Sequence, residues 1–483
     1  MVSYPPQPPE MAKIQALSCL NQRFQQTPVT QRSRHLSIPQ IGYIMRAYIF
    51  PNYTTLFSSC ILLVSFGALS WGQLGGFNAI TLESYLQRAQ TTNPQLKAFE
   101  ARYEAATKRI PQMSSLPDPM FQVTHFVESV QTRTGPQENI FMISQRIPWF
   151  GKLDSREAKA SAEAEALWFA YQNQQLMLAR IVAQRFFEYA FTGQAIRLTE
   201  ENLDLLANLE PIVEEKVRAG GDLNALLRIK VEIGKVTDKL QSFQQSRIAQ
   251  SAQLCELLAL PSDTLLPWPE TTRPSMTQVS GPALSQAIEA NHPELKMLER
   301  KVASAEAQKE IARLERSPDF SLGLNYIQVG DPSVNPMTPD AGRDPWALTF
   351  AVNLPIWGKK NTAIRDEALA GQRAIENEYE SRLNALRAEL SVSIARLEDA
   401  QRRHKLYGED LLGLAQQAVE NSQSSYEGGR TGILEVIDSE RSLLELQLLH
   451  QRADADAWQQ LITIQTLTNQ PIFETFNPTQ IHE

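Results

Sequence analysis

The sequence is poor in cysteine, in long apolar runs and in surplus basic charge. Only Cys19, Cys60 and Cys255 occur in 483 residues. Two of them fall in the N-terminal region, which leaves one in the body of the chain and no intramolecular disulfide there. A large secreted chain of this kind must be held by packing or assembly. Lys and Arg number 46 against 54 Asp and Glu, a net charge of −8. That balance lacks the basic surplus of nucleic-acid binders, so no nucleic-acid partner is expected. No G-x-x-x-x-G-K-[ST] loop occurs. The six histidines, His35, His125, His292, His404, His450 and His482, stand singly, without a His or Cys at ligand spacing. No Ser/His/Asp grouping can be argued either. The expectation is no enzyme, no cofactor and no metal ligand. What is present, 42% hydrophobic and 21% charged residues, is the balance of a folded chain.

The one strongly apolar run, LFSSCILLVSFGALS at 56–70, is short of the roughly 20 residues a spanning helix needs. With Met45 and Arg46 upstream and Ser70 and Gly72 behind, it reads as a secretory signal peptide cleaved after Gly72. On this reading translation starts at Met45 and 1–72 is an extension plus signal. Cys60 lies inside the apolar run, where a lipid-anchored cysteine would follow it. Past Gly72, any membrane contact must be made by β-strands.

The body of the chain carries one pattern twice. Asn93-Pro94-Gln95-Leu96 returns as His292-Pro293-Glu294-Leu295, and Pro117-Asp118 as Pro318-Asp319. Ile147-Pro148-Trp149-Phe150-Gly151-Lys152 returns as Leu354-Pro355-Ile356-Trp357-Gly358-Lys359, and Arg218-Ala219-Gly220-Gly221 as Glu427-Gly428-Gly429-Arg430. The order is kept and the offset grows only from 199 to 209 residues, which marks an internal duplication. The boundaries expected are 79–262 for the first repeat, 281–471 for the second and 472–483 for a tail. Each repeat reads as a helix with an X-Pro step, a strand pair, then two very long helices meeting at a Gly-rich tip.

The clearest strand is 346–354. Trp346, Leu348, Phe350, Val352 and Leu354 alternate with Ala347, Thr349, Ala351 and Asn353. Its partner begins at Asp319 with Phe320, Leu322, Leu324 and Tyr326 on one face. The first-repeat strands carry Phe121, Val123 and His125, and Phe141, Ile143, Gln145 and Ile147. QTRTGPQEN and VGDPSVNPMTPDAGRD read as long polar loops between strands. One apolar face over about 9–11 residues suits a membrane strand. An ordinary hairpin packed on the helices fits equally well from the strands alone. Four strands cannot close a barrel, so the membrane reading forces several chains to share one.

No proline lies between Pro355 and Pro471. The stretch is rich in good helix formers, and Glu427-Gly428-Gly429-Arg430-Thr431-Gly432 is its one Gly-rich break. One helix is expected from Asn361 to Tyr426, returning over Ile433 to Leu467. The first repeat matches with Lys152 to Val217 and Asn224 to Leu258, bent near Pro211. Heptad-like spacing with many small residues points to coiled-coil packing.

Together the repeat, the strand pairs and the two Gly-tipped hairpins resemble the TolC family of outer-membrane efflux channels, over about Ile80 to Pro471. The most specific likeness is Tyr426-Glu427-Gly428-Gly429-Arg430-Thr431-Gly432-Ile433-Leu434-Glu435-Val436-Ile437-Asp438, with the Pro-aromatic-Gly-Lys steps beside it. The resemblance implies a mainly α chain with four transmembrane β-strands, three copies forming a twelve-stranded barrel above a helical tunnel. It implies an outer-membrane location, with lipid around the barrel and helices in the periplasm. Its partners would be a homotrimer, a periplasmic adaptor protein and an inner-membrane pump, proton-driven. It places the strand-to-helix turns at Pro148, Gly151, Pro355 and Gly358, and adaptor docking at Gly220, Gly221, Gly428, Gly429 and Arg430. Glu435 and Asp438, three apart and so on one helix face, would form the closing constriction. The family commonly has two Asp there. From the residues alone the pair reads as a solvated helix face, and only the resemblance favours the gate; the corresponding first-repeat positions, Leu226 and Ile229, carry no charge. Gln145 to Lys152 is similar to the heavy-metal export branch, with drug export the other. The alternative function is a pore-free coiled-coil structural protein of the cell envelope.

Overall fold

The computed structural model describes residues 80–270, 281–331 and 339–469. The signal peptide, the Met45 start, the lipidation question at Cys60 and the C-terminal tail lie outside the described residues.

The elements run as two series. The first is α1 (Leu82–Thr92), α2 (Pro94–Ser114), β1 (Met120–Thr132), β2 (Gly135–Ile147), α3 (Lys152–Arg218) and α4 (Leu223–Leu257). The second is α5 (Gly281–Asn291), α6 (Pro293–Leu314), β3 (Phe320–Val329), β4 (Trp346–Val352), α7 (Gly358–Lys405), a π-helical turn (Leu406–Leu411), α8 (Leu412–Glu427) and α9 (Ile433–Thr468). At 1.5 Å per residue, the 67 residues of α3 span roughly 100 Å. Most of its length packs against α2, α4, α6 and α9.

The X-Pro steps act as helix starts rather than kinks. Proline loses nothing at the first helical position, where no backbone donor is needed. The preceding residue then caps: Asn93 Oδ1 accepts from the Gln95 and Leu96 amides, and His292 Nδ1 accepts from the Glu294 amide. Burial holds the His292 imidazole down at about 4, neutral as an accepting cap must be. Inside helices proline is tolerated here: α3 runs through Pro211 and α2 through Pro111 without a break.

Two expectations are corrected. The helix from Asn361 to Tyr426 is not one α-helix, because a π turn separates α7 from α8. QTRTGPQEN is not a long loop either. β1 and β2 extend to Thr132 and Gly135 and meet in a tight turn through Arg133 and Thr134. Thr132 Oγ1 donates to the Gly135 carbonyl across it, and Gly135 has φ +141°, where the Gly330 carbonyl would lie 2.1 Å from any Cβ.

The four strands form one antiparallel sheet in the order β1-β2-β3-β4. Paired residues share a face, so the register assembles an apolar sheet face. Phe121 lies opposite Ile143, which pairs Leu324, which pairs Leu348; Phe141 pairs Tyr326, which pairs Trp346. The other face is mixed, with Gln122, Ser144, Gly323 and Thr349 beside Met120, Ile140, Met142 and Ile327. Leu348 is 81% exposed and Trp346 70%, and among the described residues no helix covers that face. Among the same residues β1 and β4 are free edges.

The main core lies where α1 and α5 meet the long helices. Tyr85, Phe186, Leu254, Ile288, Leu386 and Ile462 are all buried there. Phe187 stacks on Trp458 with ring centroids 4.9 Å apart. Cys255 is buried in the same core.

Candidate functional site

Two places in the fold gather the residues singled out by the sequence. The first is the strand-to-helix joint. Gly151 adopts φ +82° ahead of α3, turning the chain so that Lys152, at the helix start, points back under the sheet. Its Nζ donates to Asp319 Oδ1 at 2.8 Å and to the Ser317 carbonyl at 3.1 Å. Arg146 reaches Asp319 Oδ2 at 2.7 Å, and the Trp149 amide donates to Oδ1 at 3.0 Å. Lys152 and Asp319 are both almost wholly buried. A buried pair of this kind needs every lone pair filled to offset its desolvation, and here both carboxylate oxygens are. The repeated Pro-Asp and Gly-Lys pieces thus meet across the repeats: lysine from the first, aspartate from the second. The second-repeat lysine, Lys359, and the first-repeat aspartate, Asp118, are both exposed. They stand at the same end of the sheet, beyond β4 and before β1. Trp149, Phe150, Ile356 and Trp357 surround this end, three of them more than 70% exposed.

The second place is the pair of tips. Gly220 (φ +98°) and Gly429 (φ +68°) take the left-handed backbone that closes each helix. The Gly221 amide donates to the Lys216 carbonyl at 2.9 Å, and the Arg430 amide to the Ser425 carbonyl at 2.9 Å. Lys216 joins the tips: its Nζ lies 3.6 Å over the Tyr426 ring and donates to the Tyr426 carbonyl at 2.9 Å. Beneath lies a small core of Val213, Ile229, Tyr426, Ile433, Val436 and Ile437. Ile229 is wholly buried and Leu226 packs beside it, so the uncharged first-repeat positions fill the tip core. Leu223, Leu227 and Val231 form an exposed apolar stripe on α4, one turn apart.

Glu435 and Asp438 share the opposite, exposed face of α9. They are not equivalent. Asp438 Oδ1 lies 3.5 Å from Arg441, whereas the ion pairs of the described residues do not include Glu435. Arg441 reaches across to α4, binding Glu232 through Nε at 3.1 Å and Nη2 at 2.7 Å. The hydrogen bond from Arg441 holds the Glu232 carboxyl below its ordinary range. One turn deeper, Glu440 is buried and receives Gln423 at 2.8 Å and Asn202 at 3.4 Å. Burial pushes its carboxyl up against the pull of those two amides. The acidic charge on α9 is thus tied laterally to α4 and inward to α3 and α8. Arg441, Glu232 and Glu440 escaped the sequence reading because their partners lie on other helices.

Residues 284–470 match the family described as outer membrane efflux protein. Nodulation protein T of Rhizobium leguminosarum is 21% identical over 83% of this chain and 87% of its own. The cobalt-zinc-cadmium resistance protein CzcC of Cupriavidus metallidurans is 22% identical over 80% of this chain and 89% of its own. The solved outer membrane protein VceC of Vibrio cholerae superposes with a TM-score of 0.68 at 19% identity, over 80% of this chain and 95% of its own.

Proposed function

We propose, from the premise that this chain belongs to the outer membrane efflux protein family, that three copies close one barrel and that Glu435 and Asp438 form its constriction. The protein is the outer-membrane channel of a tripartite efflux pump, a passive duct and not an enzyme, with its helices in the periplasm. The observation that carries the trimer is the sheet: four strands, two free edges and one uncovered apolar face. In lipid such edges must pair, and further copies of the same sheet pair them. Two repeats of 79–262 and 281–471 then place six strand pairs around one barrel.

The adaptor docks at the tips, around Gly220, Gly221, Gly428, Gly429 and Arg430, with the Leu223-Leu227-Val231 stripe as apolar contact. A pump in the inner membrane, proton-driven, supplies the cargo. Likeness to a cobalt-zinc-cadmium resistance protein favours a metal-cation cargo.

In a trimer, Glu435 and Asp438 make two rings of three carboxylates. Three like charges repel at close quarters, attract cations and narrow the usable bore. Planar-bilayer recording tests this. The Glu435→Gln, Asp438→Asn double variant is expected to conduct more than the unmodified trimer and to lose its block by multivalent cations; conductance and block that stay unchanged would refute the constriction. A pore-free envelope protein, the other reading, would yield no trimer that conducts ions.

A further inference from the structure

His404 closes the last turn of α7, while His450 and Asp454 stand four residues apart on one face of α9. One ligand atom from each lies within 4.8 Å of the other two. The His404 and His450 rings are 4.6 Å apart at 30°, and His404 Nδ1 contacts Asp454 Oδ1. The sequence reading did not see this group because His404 is brought to His450 and Asp454 only by helix packing. A tetrahedral zinc ion with bonds of about 2.0–2.2 Å sets its ligand atoms roughly 3.3–3.5 Å apart, so side-chain adjustments of up to about 1.5 Å between ligand atoms would bring all three onto one ion.

An interhelix ion pair would account for His404 and Asp454 but not for the backbone around them. The π turn Leu406–Leu411 begins two residues past His404, and such turns concentrate at functional sites. Inside it is Gly408, four residues on from His404. A Cβ there would lie 2.5 Å from His450 Nε2. The wide turn and the absent side chain together make the space in which the second imidazole reaches the first. The surrounding arginines carry their own anions: Arg403 pairs with Asp399 and Asp456, and Arg452 with Glu188 and Asp456. None is paired with Asp454. At 17% and 21% exposed, His404 and Asp454 are shielded yet reachable.

We propose that His404, His450 and Asp454 bind a divalent transition-metal ion, clasping α7 to α9 and leaving a coordination position for water. Two imidazoles and one carboxylate favour zinc, cobalt, nickel or copper over calcium or magnesium. The site stands on this geometry alone and is independent of the cargo proposed for the channel.

The test uses the purified full-length protein in detergent, stripped of metal and titrated with cobalt(II). The expected result is one equivalent per chain, with the visible absorption of four- or five-coordinate cobalt, displaced by zinc. His450→Gln and Asp454→Asn are each expected to weaken binding at least tenfold. Gly408→Ala, which keeps every ligand, is expected to weaken it as well. Circular dichroism and size exclusion check that each variant keeps its fold. The proposal is overturned if the unmodified protein gives no such spectrum, or if the variants bind cobalt as it does.

Discussion

His292 and Asn93 do one job with different chemistry. Each caps the helix after an X-Pro step, but only the imidazole can lose its acceptor by protonation. Burial lowers the His292 value to about 4, with Arg382 and Arg180 adding to the effect and Glu389 opposing it. Its ordinary value is near 6.5, so the unfolded chain binds more protons between those two values. Stability is therefore full above pH 6.5 and falls as pH drops towards 4, by an amount on the order of 3 kcal/mol per chain. His292→Asn copies the residue at the equivalent first-repeat position. It is expected to keep the cap and flatten this part of the profile, as thermal unfolding between pH 7 and pH 4 would show. An unchanged slope would assign the pH dependence elsewhere. The capping role was legible in the X-Pro spacing only as a break; that the X side chain makes the cap required the amide positions.

At the scale of elements, strands were read well where one face is apolar and poorly where both are polar. Trp346 to Val352 alternate cleanly and form β4. Gln131, Thr132 and Gly135 to Asn139 are polar on both faces, so their sequence gives no period although they pair in the sheet. The π turn is equally silent in sequence: Leu406 to Leu411 reads as ordinary helix, and the one hint is Gly408. The tips were legible because the left-handed backbone excludes most residues and glycine announces it. Gly221 is the more demanding tip position. A Cβ on it would sit 2.8 Å from the Lys216 carbonyl, in rigid backbone that cannot move aside. Gly221→Ala is expected to destabilise the first tip by about 1–2 kcal/mol and to reduce adaptor recovery in co-purification. Gly234→Ala, with nothing within 4 Å of its Cβ, is the control: inside α4 it is expected to raise stability slightly, by up to about 1 kcal/mol, and to leave adaptor recovery unchanged.

At the scale of the whole molecule, the duplication gives an intrachain joint that an interchain one in the proposed trimer would repeat. Lys152 of one repeat holds Asp319 of the other, and closing β4 onto β1 of the next copy would bring Lys359 to Asp118 in the same relation. Their replacement by a cysteine pair, Asp118→Cys with Lys359→Cys, is expected to yield covalent trimers on non-reducing gels. Cys255, the one cysteine among the described residues, is buried and out of reach. Each single variant should stay monomeric on such gels, and a double variant that gives no cross-linked ladder would place the closing strands in another register. The repeated Pro-Asp and Gly-Lys pieces were visible in the sequence. Their partnership was not, because Asp319 is served by the lysine of the other repeat.

The two free edges also set a sorting problem for newly made chains. A lone sheet offers β1 and β4 to any extended strand it meets, with an apolar face alongside. Two copies pairing β1 to β1 in parallel would crowd two Asp118 carboxylates together, and two pairing β4 to β4 in parallel would crowd two Lys359 ammonium groups. In such alignments only unlike edges attract. In the proposed trimer, the unlike charges beside the two sheet edges would thus work as a polarity mark, favouring head-to-tail growth that closes into a ring over same-edge parallel pairings that would end in dead dimers.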